Sequence, residues 1–321
     1  MQEKIAVVVP AKERQEYIHQ CISSILALDY PNFEVIVVDD GLEKTTLDIL
    51  DKFKHRLKVL QSHSGGPSLA RNLATKNTDA EYIAFTDSDC IADKDWLKEL
   101  SKGFREFPQA AACGGIQKLP QDAADFEKNV FLFMQKAGFI SDYIRRAKNE
   151  EILEVGHNPS CNVMYKREVF LREEGFLEGL WPGEDVEFDY RLKKKGYKLC
   201  LNPKAIVYHY KPKTLKSFLK MMYRYGCAQG FLVRKYGFFR KIHFMPLLGL
   251  IIFFVLLFYK SLQLILVIGP VLLILFFKFN LYLSFLSTLG FISWNIGFLK
   301  GIVFPNILSN MGNKNKDSNL G

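Results

Sequence analysis

Two aspartates separated by one residue carry the clearest chemical signal in this sequence. Asp87 and Asp89 follow the apolar run 82–86, which is typical of a buried strand. Alternate residues of an extended chain point to the same side, so both carboxylates can address one position. Two close acids repel each other unless a cation lies beside them. A hard divalent ion, Mg²⁺ or Mn²⁺, that also binds substrate phosphates suits such a pair, although an acidic pair can also cap a turn.

The surrounding pattern predicts strands that alternate with helices. The β-branched runs 5–9 and 35–38 predict strands buried on both faces. Further strands are expected at 57–60, 82–86 and 110–116, and helices at 45–53, 68–76 and 185–195. Ile18, Cys21, Ile22 and Ile25 form the apolar stripe of another helix. This order implies an α/β fold with an open, mainly parallel sheet, whose ligands bind outside the carboxyl ends of the strands.

Two later segments are harder to interpret. Residues 126–146 predict an amphipathic helix that packs on the sheet, covers the site or lies on a membrane. Residues 199–208 predict two brief strands.

The composition changes after Lys241. Between residues 244 and 299 the only charged residues are Lys260 and Lys278. The uncharged stretches 244–259, 261–277 and 279–299 lie at or near the length that crosses ~30 Å of hydrocarbon. We expect three transmembrane helices. The alternatives are a two-span hairpin plus an interfacial helix, and a buried helical domain of a soluble protein.

The expected organisation is therefore a catalytic domain at 1–240, an all-α transmembrane segment at 241–310 and a disordered polar tail at 311–321. The net charge of +9 does not indicate nucleic-acid binding, because Lys and Arg are scattered and form no basic helix face. Much of the excess lies between 193 and 241, which fits anionic lipids at a cytoplasmic membrane surface. The six cysteines show no paired spacing and are expected to be reduced thiols. We expect a multi-pass protein of the cell membrane with its N-terminal domain in the cytosol.

Five segments together resemble the inverting glycosyltransferase family 2, which has the GT-A fold, a Rossmann-like fold of nucleotide-diphospho-sugar transferases. The segments occur in family order and the resemblance covers residues 4–235. They are Val7-Val8-Val9-Pro10-Ala11, Val37-Val38-Asp39-Asp40-Gly41, Gly65-Gly66-Pro67-Ser68-Leu69-Ala70-Arg71-Asn72, Phe85-Thr86-Asp87-Ser88-Asp89 and Gly183-Glu184-Asp185-Val186-Glu187-Phe188.

The resemblance implies a donor site. Pro10 and Ala11, with Glu13 nearby, would form the floor of the nucleotide pocket, and Asp40 or Asp39 would accept a hydrogen bond from the base. Arg71 would lie toward the ribose or the diphosphate. In the Asp87-Ser88-Asp89 motif, which contacts the donor, Asp89 would bind the metal and Asp87 the ribose side and the metal.

The resemblance also implies an acceptor side. Asp185 would be the general base that deprotonates the acceptor hydroxyl, with Glu184 shaping the site, although a Gly-Glu-Asp sequence is equally a helix start. His209 matches a metal ligand of relatives. Trp181 could stack on the acceptor sugar or pack in the core.

Two departures from the family pattern affect the implied function. Leu42 stands where relatives carry Ser, so one hydroxyl near the nucleotide is missing. The Gln-x-x-Arg-Trp motif of polymer-making members is replaced by Met222-Tyr223-Arg224-Tyr225-Gly226, which implies a non-processive enzyme.

The implied reaction is transfer of a sugar, most often UDP-linked, to a lipid-linked or membrane-proximal saccharide. The alternatives are a nucleotidyltransferase, a transporter with a regulatory domain, and a catalytically inactive membrane protein that binds a nucleotide sugar.

Overall fold

The computed structural model describes residues 2–12, 15–62, 65–139, 151–244, 246 and 280–304. The chain divides into two compact units. The first contains Met1–Ala123 and Ala137–Tyr210, and the second contains Ala124–Lys136 and Lys211–Met311. The domain boundaries expected at 240 and 310 stay predictions. The stretch 261–277, nearly all of 244–259 and the tail 311–321 lie outside the described residues.

The first unit opens with four parallel strands in the order β3-β2-β1-β4. They are β1 (Ile5–Ala11), β2 (Phe33–Asp39), β3 (Lys58–Gln61) and β4 (Tyr82–Phe85). The helices between them are α1 (Gln15–Leu26), α2 (Lys44–Asp51) and α3 (Gly66–Lys76). All seven residues of β1 are buried, as expected of a β-branched run covered on both faces. The strands and helices predicted in this region are confirmed to within two residues at each end.

The rest of the sheet is built from later parts of the chain. After β5 (Cys90–Ala92) come α4 (Trp96–Glu106), β6 (Ala110–Lys118) and α5 (Asp125–Lys136), of which α5 belongs to the second unit. The chain continues through β7 (Leu153–Glu154), β8 (Val163–Lys166), α6 (Arg167–Arg172), α7 (Glu184–Lys194) and β9 (Lys198–His209). Across the described residues the sheet order is β3-β2-β1-β4-β8-β6-β9-β5, and β7 pairs with β9.

The expectation of a mainly parallel sheet was wrong, because the sheet is mixed. Strand β8 runs antiparallel to both of its neighbours, β4 and β6. Strands β5 and β7 each run antiparallel to β9. Strand direction depends on the connections between distant parts of the chain, and the local hydrophobic pattern does not encode those connections.

Two element predictions also need correction. Residues 199–208 belong to one continuous strand, β9, which is paired with β6 and β7 near its start and with β5 near its end. A register shift between Gly114 and Ile116 bends this ladder without ending the strand. Within the range 126–146 predicted as one helix, α5 ends at Lys136 and Gly138 follows with a left-handed φ of 84°, whereas residues 140–146 lie outside the described residues.

The apolar stripe predicted for the first helix is confirmed. Ile18, Cys21, Ile22 and Ile25 of α1 are fully buried and pack with the inward residues of β1 and β2 in one core. Because this core fixes the central strands, it also fixes the loops at their carboxyl ends.

The second unit contains a pair of long parallel helices, α8 (Leu215–Tyr236) and α9 (Leu281–Val303). Glycines bring their backbones together, because a Cβ on Gly226 would lie 2.0 Å from the Trp294 carbonyl oxygen, and one on Gly297 would lie 2.1 Å from that of Tyr223. Gly230 and Gly301 make the same close contact one turn further along. Each helix therefore contributes a Gly-x-x-x-Gly pair to the contact.

By length and composition, α9 is the one helix among the described residues that could cross a membrane. Its 18-residue apolar window has a mean hydropathy of 1.3, and 44% of that window is buried within the protein.

Candidate active site

The paired aspartates lie between the end of β4 and the start of β5, beside the end of β9. Asp87, Asp89 and His209 each offer a ligand atom, and these atoms lie within 4.8 Å of one another. The His209 Nε2 atom is 3.4 Å from Asp89 Oδ1. Two carboxylates and an imidazole are ligands that a divalent ion such as Mn²⁺ accepts, so the residues fit the metal site implied by the sequence.

Gln117 of β6 orients the histidine. Its Oε1 atom is 3.1 Å from His209 Nδ1, so the imidazole is held from the side opposite Nε2. Such a partner fixes the ring orientation of a ligating histidine. No sequence pattern pointed to Gln117, because its role depends on the parallel pairing of β6 with β9.

Arg71 of α3 connects the aspartate pair to the acids of α7. Its guanidinium donates to Asp87 Oδ1 at 2.5 Å and to Glu184 Oε1 at 2.8 Å. Arg71 is only 1% exposed, and its guanidinium lies about 6 Å from the ring centroids of Phe85 and Phe176. The structure thus gives Arg71 two acidic partners, the buried Glu184 and the partly exposed Asp87, and the donor contact predicted for Arg71 stays a prediction.

Ser160 links the two acids at the start of α7. Its Oγ donates to Glu184 Oε1 at 3.0 Å, and its backbone N–H donates to Asp185 Oδ2 at 2.9 Å. Asp185 Oδ1 also accepts the N–H of Val186 at 2.8 Å, so this carboxylate is held in one orientation. No sequence pattern singled out Ser160.

The environment of Glu184 changes its acidity. Burial, and to a lesser extent the neighbouring charge of Asp185, raise the pKa of Glu184 from 4.5 to about 7, although Arg71 acts in the opposite direction. A carboxyl group that titrates near neutral pH beside Asp185 is typical of a site that handles protons.

Asp189, one turn after Asp185, supports the loop that carries Ser160. This fully buried carboxylate accepts from the Asn158 N–H at 2.7 Å and from the Tyr165 hydroxyl at 2.8 Å. His157 Nδ1 lies 2.9 Å from it. These contacts hold residues 157–160 against α7, and the sequence reasoning missed them.

The predicted nucleotide-side residues gather at the carboxyl ends of β1 and β2. Pro10 and Ala11 end β1 in register with Val38 and Asp39. Asp39 accepts the N–H groups of Gly41 and Leu42.

The neighbouring Asp40 holds the loop before α3. Its carboxylate accepts from the Ser62 hydroxyl at 2.5 Å and from the Gly66 N–H at 3.1 Å. Both aspartates therefore order these loops, and their contact with a base stays a prediction.

The remaining predicted residues are less informative. Ser88 is buried between the two aspartates, Trp181 is 41% exposed, and Glu13 lies outside the described residues. The exposed indole of Trp181 does not support the core-packing alternative.

Comparisons with known proteins show the family and the fold of this chain. The model of "Glycosyl transferase family 2" matches residues 6–172. A dolichyl N-acetyl-alpha-D-glucosaminyl phosphate 3-beta-D-2,3-diacetamido-2,3-dideoxy-beta-D-glucuronosyltransferase of Methanococcus voltae is 25% identical over 75% of this chain and 77% of its own length. The poly(ribitol-phosphate) beta-N-acetylglucosaminyltransferase TarS of Staphylococcus aureus is 37% identical, but the match covers 30% of this chain and 18% of TarS.

Two solved structures share the fold. The mannosyltransferase PcManGT from Pyrobaculum calidifontis, in complex with GDP-Man and Mn²⁺, superposes with a TM-score of 0.67 at 16% identity, over 95% of this chain and 88% of its own. S. aureus TarS 1–349 in complex with UDP gives a TM-score of 0.51 at 20% identity, over 92% and 90%. At these identities the similarity shows a common GT-A fold alone.

Proposed function

Since the chain belongs to glycosyl transferase family 2 and is a glycosyltransferase, we propose that it moves a sugar from a nucleotide-sugar donor to a saccharide acceptor with inversion. One observation carries the proposal. A continuous set of contacts runs from Asp87 through Arg71 to Glu184, and from there through Ser160 to Asp185. This set joins the donor side of the predicted site to its acceptor side.

A divalent cation, Mg²⁺ or Mn²⁺, is part of the proposal. Asp87, Asp89 and His209 would hold it, and when bound it would offset the negative charge that develops on the leaving nucleoside diphosphate. The mannosyltransferase of the same fold was solved in complex with GDP-Man and Mn²⁺, which supports this assignment. A UDP-linked donor is favoured because the solved structure of TarS, 20% identical to this chain, is a complex with UDP, whereas PcManGT, 16% identical, was solved with GDP-Man.

Asp185 is the proposed general base. A single base suffices for inversion, because the acceptor hydroxyl attacks from the face opposite the leaving group and no covalent intermediate forms. The two backbone N–H groups on Asp185 hold its carboxylate for this task. Arg71 is a positioning residue in this scheme, since it contacts two acids of the site. Trp181, with its exposed ring, would stack on the acceptor.

The acceptor is proposed to be a lipid-linked or membrane-proximal saccharide. The relative from Methanococcus voltae is named for a dolichyl-linked phosphate substrate. Association with the cytoplasmic face of the cell membrane would bring the active site close to such acceptors and raise their effective concentration.

Helix α9 is proposed to lie in the membrane interface instead of crossing the bilayer. It runs alongside α8 from the contact of Gly290 with Phe218 to the hydrogen bond between the Ile302 carbonyl and Arg234. The two helices therefore share one orientation. Helix α8 carries five cationic side chains, namely Lys216, Lys220, Arg224, Arg234 and Lys235.

The five cationic side chains of α8 argue against an orientation in which α8 and α9 cross the bilayer. Each Lys or Arg costs about 2.5–3.5 kcal/mol at the centre of a membrane helix. In the plane of the membrane, the same cations would meet anionic headgroups. The exposed apolar side chains of α9, which from Tyr282 onward are spaced three, four or seven residues apart, would meet the acyl chains. Of the arrangements expected from sequence, this favours the two-span hairpin plus an interfacial helix.

Donor turnover tests the proposed function. Purified full-length protein with Mn²⁺ or Mg²⁺ should release nucleoside diphosphate from one member of a panel of UDP- and GDP-sugars when lipid-linked acceptors are present. Asp185→Asn should lower kcat by roughly 10²–10⁴-fold, the usual contribution of a general base, while donor binding measured by thermal shift persists. Asp48→Asn, on an exposed position of α2, is the matched control. Undiminished turnover by Asp185→Asn would refute the assignment of the base.

A further inference from the structure

Two buried cysteines lie beside His209 and share it with the aspartate pair. The Sγ atoms of Cys90 and Cys161 and a ring nitrogen of His209 lie within 4.8 Å of one another. Cys90 and His209 are direct partners in the antiparallel pairing of β5 with β9. Opposite residues of such a pair extend to the same face of the sheet, so the backbone ladder itself brings these two side chains together.

The chemistry of this set differs from that of the acids. Thiolates and imidazole favour a thiophilic ion such as Zn²⁺ or Cd²⁺, whereas Mg²⁺ and Mn²⁺ favour carboxylate oxygen. In a tetrahedral zinc site, bond lengths near 2.3 Å to sulfur and 2.0 Å to nitrogen separate the ligand atoms by roughly 3.5–3.8 Å. The observed separations, none of which exceeds 4.8 Å, are compatible with that spacing.

We propose that Cys90, Cys161 and His209 form a binding site for a thiophilic divalent cation, and that this ion inhibits the enzyme. Cys90 is 1% exposed and Cys161 is 4% exposed, so a bound ion would be shielded from most competing ligands. His209 belongs to both sets of ligands. An ion held by the thiols would therefore compete with the ion held by Asp87 and Asp89 for the same imidazole.

A second thiol pair in the same sheet provides an internal control. Cys113 of β6 and Cys200 of β9 are also buried and stand opposite each other in register. Within the part of the chain that the structure describes, the groups of three suitable ligands include Cys90 and Cys161 but neither Cys113 nor Cys200. The proposal therefore predicts tight binding of a thiophilic ion at Cys90 and Cys161 and no such binding at Cys113 and Cys200.

Cadmium binding tests the site without any donor or acceptor. Titration of reduced, metal-free, full-length protein with Cd²⁺ should produce the ultraviolet absorption of cadmium–thiolate bonds, with an amplitude of two thiolates for the first equivalent. Cys90→Ser and Cys161→Ser should each weaken this binding by at least about tenfold, whereas Cys113→Ser should leave it unchanged. A wild-type protein without thiolate absorption at one equivalent would refute the site, and this result depends on no variant.

Zinc inhibition tests the second part of the proposal, that the bound ion inhibits the enzyme. This part rests on the proposed function, whereas binding of the ion does not. In turnover assays with excess Mn²⁺, Zn²⁺ should inhibit the wild type, and the inhibiting concentration should rise at least about tenfold in Cys90→Ser and in Cys161→Ser. Cys113→Ser should remain as sensitive as the wild type. Equal sensitivity of all four proteins would mean that zinc acts at the acids, and the inhibitory role would be wrong even where cadmium binding is observed.

Discussion

Arg71 and Glu184 form an ion pair between two buried side chains that are 113 residues apart in sequence, with Nη1 and Oε1 2.8 Å apart. The pair fastens the start of α7 to the middle of α3. Buried pairs of this kind seldom add net stability over apolar packing, but the loss of one partner leaves an uncompensated charge. The pair therefore fixes the position of the α7 acids relative to the aspartate motif.

Removal of the Arg71 side chain should destabilise the protein strongly. We expect Arg71→Ala to lower the free energy of unfolding by about 3–5 kcal/mol, because it leaves Glu184 and Asp87 without their buried counter-charge. Arg71→Lys should be milder in stability but should still lower kcat, since an ammonium lacks the planar fork that reaches both acids. Urea unfolding and turnover assays measure the two effects. Arg56→Ala, at an exposed position, serves as the control. If Arg71→Ala were as stable as the wild type, Arg71 would not be the buried counter-charge of Glu184 and Asp87.

The raised pKa of Glu184 predicts a particular dependence of stability on pH. An acid whose pKa is about 7 in the folded protein and 4.5 when unfolded binds more protons in the folded state between those values. The contribution of the Glu184 carboxyl group to the free energy of unfolding is therefore fully present below about pH 4.5 and is lost as pH rises to about 7.

Glu184→Gln removes this titration. The free energy of unfolding of the wild type should therefore fall relative to that of the variant as pH rises through this window. Chemical denaturation of both proteins at several pH values checks the difference. A difference that stays constant, or that changes in the opposite direction, would show that burial does not raise the pKa of Glu184.

Gln117 should control metal affinity without being a ligand. Gln117→Ala frees the Nδ1 side of His209, and loss of such a partner typically costs about 10–100-fold in metal affinity. The activating concentration of Mn²⁺ should rise by that factor, while kcat at saturating Mn²⁺ changes less. Gln117→Glu, which can still accept from Nδ1, should restore much of the affinity. If Gln117→Ala and the wild type needed the same concentration of Mn²⁺, Gln117 would have no role in metal affinity.

The glycine contacts between α8 and α9 should tolerate no side chain. A Cβ on Gly226 would overlap the Trp294 carbonyl, so Gly226→Ala must separate the helices, and we expect a loss of about 1–3 kcal/mol in the free energy of unfolding. Gly156→Ala, whose Cβ would meet only the flexible Lys193 end at 3.3 Å, is the control. Equal stability of the two variants would contradict the close packing.

Spin labels along α9 would distinguish an interfacial helix from a spanning one. Tyr282, Ile292 and Val303 are exposed and extend over most of the helix. At 1.5 Å per residue, labels at the two ends of a perpendicular span would differ in depth by about 30 Å, whereas an in-plane helix would place all three labels at similar depth. Power-saturation measurements on the full-length protein in anionic vesicles give these depths. A large end-to-end difference would restore the three-span arrangement.

The sequence predicted the first half of the fold well because the signals there are local. The β-branched run at 5–9 and the apolar stripe from Ile18 to Ile25 each specify an element and its buried face. Asp40 and Asp87 come just after two predicted strands, so their positions could be inferred from the strand ends, whereas Asp185 lies at the start of a predicted helix.

Other parts of the site depend on contacts that no short pattern encodes. Ser160 and Gln117 acquire their partners only when β8 and β9 take their places in the sheet. The burial of Arg71 was likewise invisible in sequence, since it follows from the packing of Phe85 and Phe176 around the guanidinium. Long-range pairing therefore decided most of what the sequence analysis missed.

Strand β5 is only three residues long and lies at the edge of the sheet, where, among the strands that the structure describes, β9 alone pairs with it. A slip of one residue along that ladder would exchange the faces of Asp89 and Cys90. The carboxylate would then stand where the thiol had been, and both ligand sets would be lost together. The few main-chain hydrogen bonds between β5 and β9 thus keep the ligands of both metal sites in register. A substitution that weakens this edge pairing would abolish metal binding even though every ligand residue is retained.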